Sequence, residues 1–98
     1  MPNISKSQRT QVIEILRQFL SKDIQVYAYG SRVTGKARTY SDLDIAIKGN
    51  EPLSFELLGQ LKEAFSESDL PFMVDLIDLN AVSTEFFDSI RDDLEPVY

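Results

Sequence analysis

Gly30-Ser31-Arg32-Val33-Thr34-Gly35-Lys36-Ala37-Arg38-Thr39-Tyr40-Ser41-Asp42-Leu43-Asp44 is the stretch on which the fold and the chemistry of this 98-residue chain turn. It joins two apolar runs of strand length, residues 24–29 and 43–47. A Gly-Ser pair ends the first run, ten residues follow, and an Asp-x-Asp pair opens the second. Alternate residues of a strand point to the same side, about 6.6–6.8 Å apart. Asp42 and Asp44 therefore present two carboxylates on one face. Such a pair can hold divalent cations roughly 3.5–4 Å apart, the separation used in two-metal phosphoryl chemistry. The Gly-Ser turn brings backbone N–H groups near the same place, which suits a phosphate. Metal on one side and phosphate on the other imply a nucleotide enzyme.

A competing reading fails on one residue. Gly30 to Lys36 fits the opening of a P-loop, Gly-x-x-x-x-Gly-Lys, which requires Ser or Thr next to ligate magnesium. Position 37 is Ala, and Thr39 comes two residues too late. Ninety-eight residues are also few for the doubly wound sheet that carries such a loop.

Composition narrows the chemistry further. An apolar content of 43% with 27% charged residues is that of one folded domain, expected to span residues 1–98. Without cysteine or histidine there is no thiolate site, no usual zinc ligand and no imidazole base. A bound metal must take oxygen ligands, which favours Mg²⁺ or Mn²⁺. Residues 1–50 hold eight Lys/Arg against four Asp/Glu, whereas residues 51–98 hold two against twelve. Three cations, Arg32, Lys36 and Arg38, fall inside the signature loop. So acidic a chain, with one local basic cluster, suits a small polyphosphate and not direct nucleic-acid binding. The polar N-terminus and the lack of a long apolar run predict no membrane association and a cytoplasmic location.

The chain alternates in element type. Ser5 and Gln8 form a capping box ahead of a helix bearing Val12, Ile15, Leu16, Phe19 and Leu20. Residues 24–29 and 43–48 are the first two strands, with a short helical turn expected over residues 31–37. Ser54 caps a helix running to about Glu67, with Phe55, Leu58, Leu61 and Phe65 inward. Pro71 introduces a third strand over residues 72–79, and Asn80 or Ser83 caps a last helix that runs to about Leu94 and stops at Pro96. The order αβ(α)βαβα predicts an α/β (α+β) fold, a small sheet packed with helices. The third strand sets Asp75 and Asp78 within an apolar run, where an unpaired charge is costly. Being three residues apart, they fall on opposite faces.

Gly30-Ser31, the ten-residue gap and Asp42-Leu43-Asp44 resemble the signature of the nucleotidyltransferases of the DNA polymerase beta superfamily. Over nearly its whole length the chain is most similar to the minimal nucleotidyltransferases, antitoxin partners of HEPN-domain toxins. The resemblance implies a mixed sheet in the nucleotidyltransferase fold and a third catalytic carboxylate on the third strand, where Asp75 matches best. It further implies that Asp42, Asp44 and Asp75 bind two Mg²⁺ ions, with Mn²⁺ as a possible substitute. Gly30 and Ser31, aided by Arg32, Lys36 and Arg38, would hold the triphosphate of ATP. The implied reaction is transfer of AMP to a tyrosine hydroxyl of a cognate HEPN toxin, with which the chain would form a hetero-oligomer. The alternative is a catalytically inactive antitoxin or subunit that neutralises its partner by docking alone.

Overall fold

The computed structural model describes residues 3–35 and 41–98. In chain order the elements are α1 (Lys6–Phe19), β1 (Gln25–Tyr29), α2 (Ser31–Thr34), β2 (Leu43–Lys48), α3 (Phe55–Ser66), β3 (Val74–Asp78), α4 (Thr84–Ile90), a 3₁₀ turn (Arg91–Asp93) and β4 (Glu95–Pro96). The sheet order is β3-β2-β1-β4. β1 runs antiparallel to β2 and β4, while β2 and β3 are parallel and joined across α3. The sheet is mixed, as the resemblance implies.

Local chemistry sets the helix starts. The Ser5 hydroxyl accepts from Gln8 N at 3.1 Å, and the Gln8 side chain accepts from Ser5 N at 2.9 Å, so two orphan donors of α1 are satisfied reciprocally. The hydroxyls of Ser54 and Ser83 accept from Leu57 N and Phe86 N in the same way. The strands alternate as their sequence requires. Val26, Ala28, Leu43, Ile45 and Ile47 point to the face covered by the apolar stripes of α1 and α3. On the other face, Tyr29 and Ala46 pack with Ile90 from α4, against Tyr27, Ile77 and Leu94.

Three expectations change. Phe55 is 93% exposed, not inward. Residues three apart on an α-helix fall about 60° short of a full turn, so the stripe through Leu58, Leu61 and Phe65 has rotated away from Phe55, and Leu57 packs instead. The last helix ends at Ile90, well before Leu94. Pro96 does more than stop a helix, because Glu95–Pro96 forms an edge strand whose partners are Ala28 and Tyr27. Proline is tolerated there because an edge position leaves its missing N–H unneeded. Val97 N then donates to Val26 O at 2.9 Å, and the Val97 side chain joins the core.

Asp78 falls on the face opposite Asp75, where it is 6% exposed. Its carboxylate accepts from Leu53 N at 2.7 Å and Asn80 N at 2.9 Å, tying the entry of α3 to the end of β3. This buried charge is structural. Among the described residues no helix is long and apolar enough to cross a membrane.

Candidate active site

Strand register assembles the site. Tyr29 on β1 pairs with Asp44 on β2, and Asp44 pairs with Asp75 on β3. Residues directly opposite in neighbouring strands share a face, with Cβ atoms about 4.5–5.5 Å apart. Tyr29, Asp44 and Asp75 thus form one row across three strands. Asp42 precedes β2 by one residue, two before Asp44, and is exposed. The intervening Leu43 and the following Ile45 are both fully buried on the opposite face. A slip of one residue in β2 would bury both carboxylates and expose two core side chains, so the core itself fixes which way the acids point. Leu43 N donates to Met73 O at 2.9 Å, anchoring the mouth of the β2–β3 pair.

Gly30 meets Asp44 at close quarters. Its φ of +82° and ψ of −156° lie in a region open essentially to glycine alone. A Cβ at Gly30 would land on Asp44 Oδ2 and stand 3.2 Å from Asp44 Cγ. The Gly30 backbone and the Asp44 carboxylate therefore touch only because no side chain intervenes. Gly30 O accepts from Val33 N and Thr34 N, both at 3.0 Å, and so starts α2, whose first residue is Ser31. Gly35 closes that turn in the left-handed conformation. Lys36 and Arg38, expected to contact phosphate, lie outside the described residues.

Arg32 has a different placement from the one the sequence suggested. It is 6% exposed. Its Nε donates to Ser41 O at 2.9 Å and its Nη1 to Asn3 O at 2.8 Å, while Arg32 O accepts from Asn3 N at 2.7 Å. The guanidinium lies 4.3 Å from the centre of the Phe72 ring, a cation–π contact. The side chain thus clasps the backbone just before Asp42 to the N-terminal segment and to the approach of β3. Arg32→Lys keeps the charge that a phosphate contact needs but loses the planar fork. We expect it to cost about 1.5–3 kcal/mol of stability, the worth of hydrogen bonds to a charged donor. An unchanged denaturation midpoint with weakened ATP binding would return Arg32 to the phosphate.

Among the described residues, negative charge gathers along the row. The Asp44 carboxyl is raised above its ordinary range by burial first, then by the neighbouring charges of Asp75 and Asp42. The Tyr29 hydroxyl is pushed up to about 12 by burial, then by Asp44 and Asp75, so it stays protonated. Its ring meets Phe86 of α4 edge-on, with centroids 6.4 Å apart. Among the described residues no three Asp or Glu side chains stand close enough together to hold one metal ion. The donor set is all oxygen and carries excess negative charge, which a divalent cation would relieve.

A cavity of about 730 Å³ opens beside the row, with Asp42, Asp75, Lys62 and Met73 in its lining. Sequence reasoning missed Lys62 and Met73, which come from α3 and the approach to β3 and have no spacing relation to the signature. Tyr29 could have been placed from the sequence, as the last strand residue before Gly30.

Residues 10–98 match the protein family described as Polymerase beta, Nucleotidyltransferase. The chain is 51% identical over 86 residues to a probable protein adenylyltransferase MntA of Haemophilus influenzae, covering 88% of this chain and 75% of that protein. A crystal structure of a toxin–antitoxin with AMP-PNP superposes with a TM-score of 0.77 at 27% identity, covering 92% of this chain and 72% of the other. A structure of a tri-AMPylated Shewanella oneidensis HEPN toxin in complex with MNT antitoxin superposes with a TM-score of 0.71 at 23% identity, covering 97% and 72%, a likeness of fold.

Proposed function

This chain belongs to the polymerase beta nucleotidyltransferase family, and we propose that it transfers AMP from ATP to a tyrosine hydroxyl of a HEPN-domain toxin, acting in the cytoplasm as that toxin's antitoxin. The observation that carries the reading is the register that sets Asp75 beside Asp44, with Gly30 against the Asp44 carboxylate. The 51% identity to a probable protein adenylyltransferase supports the choice of a protein acceptor. The complete acid set supports activity over docking alone.

Each residue has a part. Gly30 and Ser31 hold the triphosphate by backbone N–H groups and a hydroxyl, with Lys36 and Arg38 as the added cations. Asp42, Asp44 and Asp75 hold two Mg²⁺ ions, which when bound supply charge neutralisation at the phosphates and a lowered pKa at the acceptor hydroxyl. Asp75, exposed at the open end of the row, receives the acceptor. The acceptor oxygen bonds to the α-phosphorus in line as the bond to the bridging oxygen breaks. Pyrophosphate leaves, and the hydroxyl proton goes to solvent. Positioning and charge do most of the work, so no imidazole is required.

Intact-mass analysis of the HEPN-domain toxin after incubation with this protein, ATP and Mg²⁺ tests the reading, with AMP additions as the expected result. Excess chelator is expected to abolish the additions, and Mg²⁺ or Mn²⁺ to restore them and tighten ATP binding. Undiminished transfer in chelator, or a requirement for zinc, would overturn the oxygen-ligated metal site.

A further inference from the structure

The cavity beside β3 reaches only part of the acid set among the described residues. Asp42 and Asp75 line it, yet among the described residues Gly30, Ser31 and Asp44 do not. It therefore opens from the acid row on the side away from the turn proposed to hold the triphosphate. We propose that it seats the aromatic, hydroxyl-bearing side chain of the acceptor protein, an inference that rests on the protein-hydroxyl reading above.

Shape and chemistry both fit that occupant. About 730 Å³ is the size of a small-ligand site, ample for one aromatic side chain with its flanking backbone. Phe65 and Phe72, 6% and 8% exposed, contribute apolar lining suited to a ring. Arg32 stacks on Phe72 and stiffens that wall. Met73 is 74% exposed and offers an apolar side chain at the cavity's edge. Thioether sulfur is also a favourable neighbour for an aromatic edge. The remaining polarity is arranged for a phenol that loses its proton. Asp75 stands at the row, and Lys62, an exposed cation from α3, shares the cavity with it. No ion pair joins Lys62 to a described residue, so its charge is available to a phenolate. A cation in the same cavity would stabilise a hydroxyl as it becomes an attacking oxyanion.

Met73→Asp and Lys62→Glu change exposed side chains, so the fold should hold, and a thermal melt checks this for each. The readouts are kcat/KM for AMP transfer to the HEPN-domain toxin and the affinity for Mg²⁺·AMP-PNP. We expect kcat/KM to fall at least about tenfold in each variant, a loss of about 1.4 kcal/mol, with AMP-PNP affinity unchanged. Met73→Leu, which keeps the apolar wall, should restore most of the activity. Unchanged kcat/KM in both variants overturns the proposal. A parallel loss of AMP-PNP affinity also overturns it, since the cavity would then serve the nucleotide. Failure of the unaltered protein to modify the toxin is a separate outcome, which removes the protein-hydroxyl reading and this inference with it.

Discussion

The Asp42→Asn/Asp44→Asn double variant is expected to lose AMP transfer by about a thousandfold or more, while its thermal midpoint in chelator holds or rises. The first effect follows from charge. Asparagine keeps the shape of both side chains but removes the anions proposed to draw divalent metal to the row, and a thousandfold corresponds to about 4 kcal/mol of transition-state stabilisation. The second follows from the direction of the Asp44 shift. Its carboxyl in the folded chain is raised, by burial and then by Asp75 and Asp42. A carboxyl raised on folding favours the folded state at low pH, and that contribution is lost as pH rises through the folded value. Where Asp44 is ionised its charge therefore opposes folding, and asparagine relieves it. In acid the difference between the variant and the unaltered protein should shrink. Thermal melts at neutral and acidic pH, with transfer assayed in parallel, check both halves. An unfolded double variant would make the pair structural and sink its assignment as a metal site.

Gly30→Val is expected to damage stability and transfer together. The backbone at Gly30 has φ of +82°, which costs a side-chain-bearing residue about 1–3 kcal/mol. Its Cβ would also clash with the Asp44 carboxylate. For a domain of this size, each kilocalorie lowers the melting midpoint by roughly 4–8 °C. Displacing a catalytic group by about 1 Å can cost ~100-fold in rate, so transfer by the folded fraction should fall at least that far. Gly35 supplies the control. It has the same φ of +82°, but a Cβ there meets nothing within 4 Å among the described residues. Gly35→Ala should therefore show the backbone cost alone and keep Asp44 in place. If Gly30→Ala and Gly35→Ala lose stability and transfer equally, the contact with Asp44 carries no function.

Much of this was legible in the sequence because the signals were local. Ser5, Ser54 and Ser83 announce their helices through caps that depend on residues three positions away. Alternation in residues 24–29 and 43–48 predicts two strands and the face on which Asp42 and Asp44 lie, and the register agrees. The illegible parts depend on residues distant in sequence. Nothing in Glu95–Pro96 reads as a strand, since two residues carry no periodicity, and the pairing exists only because the β1 edge is there to receive it. Arg32 reads as a loop cation until Asn3 and Phe72 arrive on either side of it. Lys62 and Met73 join the acids only through the packing of α3 against the sheet and the docking of β3.

The parallel pairing of β2 with β3 also sets an order in time. β1 and β2 are near neighbours in the chain and can pair as an antiparallel unit once residue 48 has been made, bringing Gly30 and Asp44 together early. Asp75 lies 31 residues after Asp44 and reaches the row only when the α3 crossover has closed and β3 has docked. At synthesis rates of about 5–20 residues per second, that interval is roughly 2–6 s. Non-local strand pairing adds its own delay. During that window a nascent chain can set Gly30 against Asp44 while Asp75 has yet to reach the row. Under the function proposed above, the docking of one edge strand would then complete the acid set.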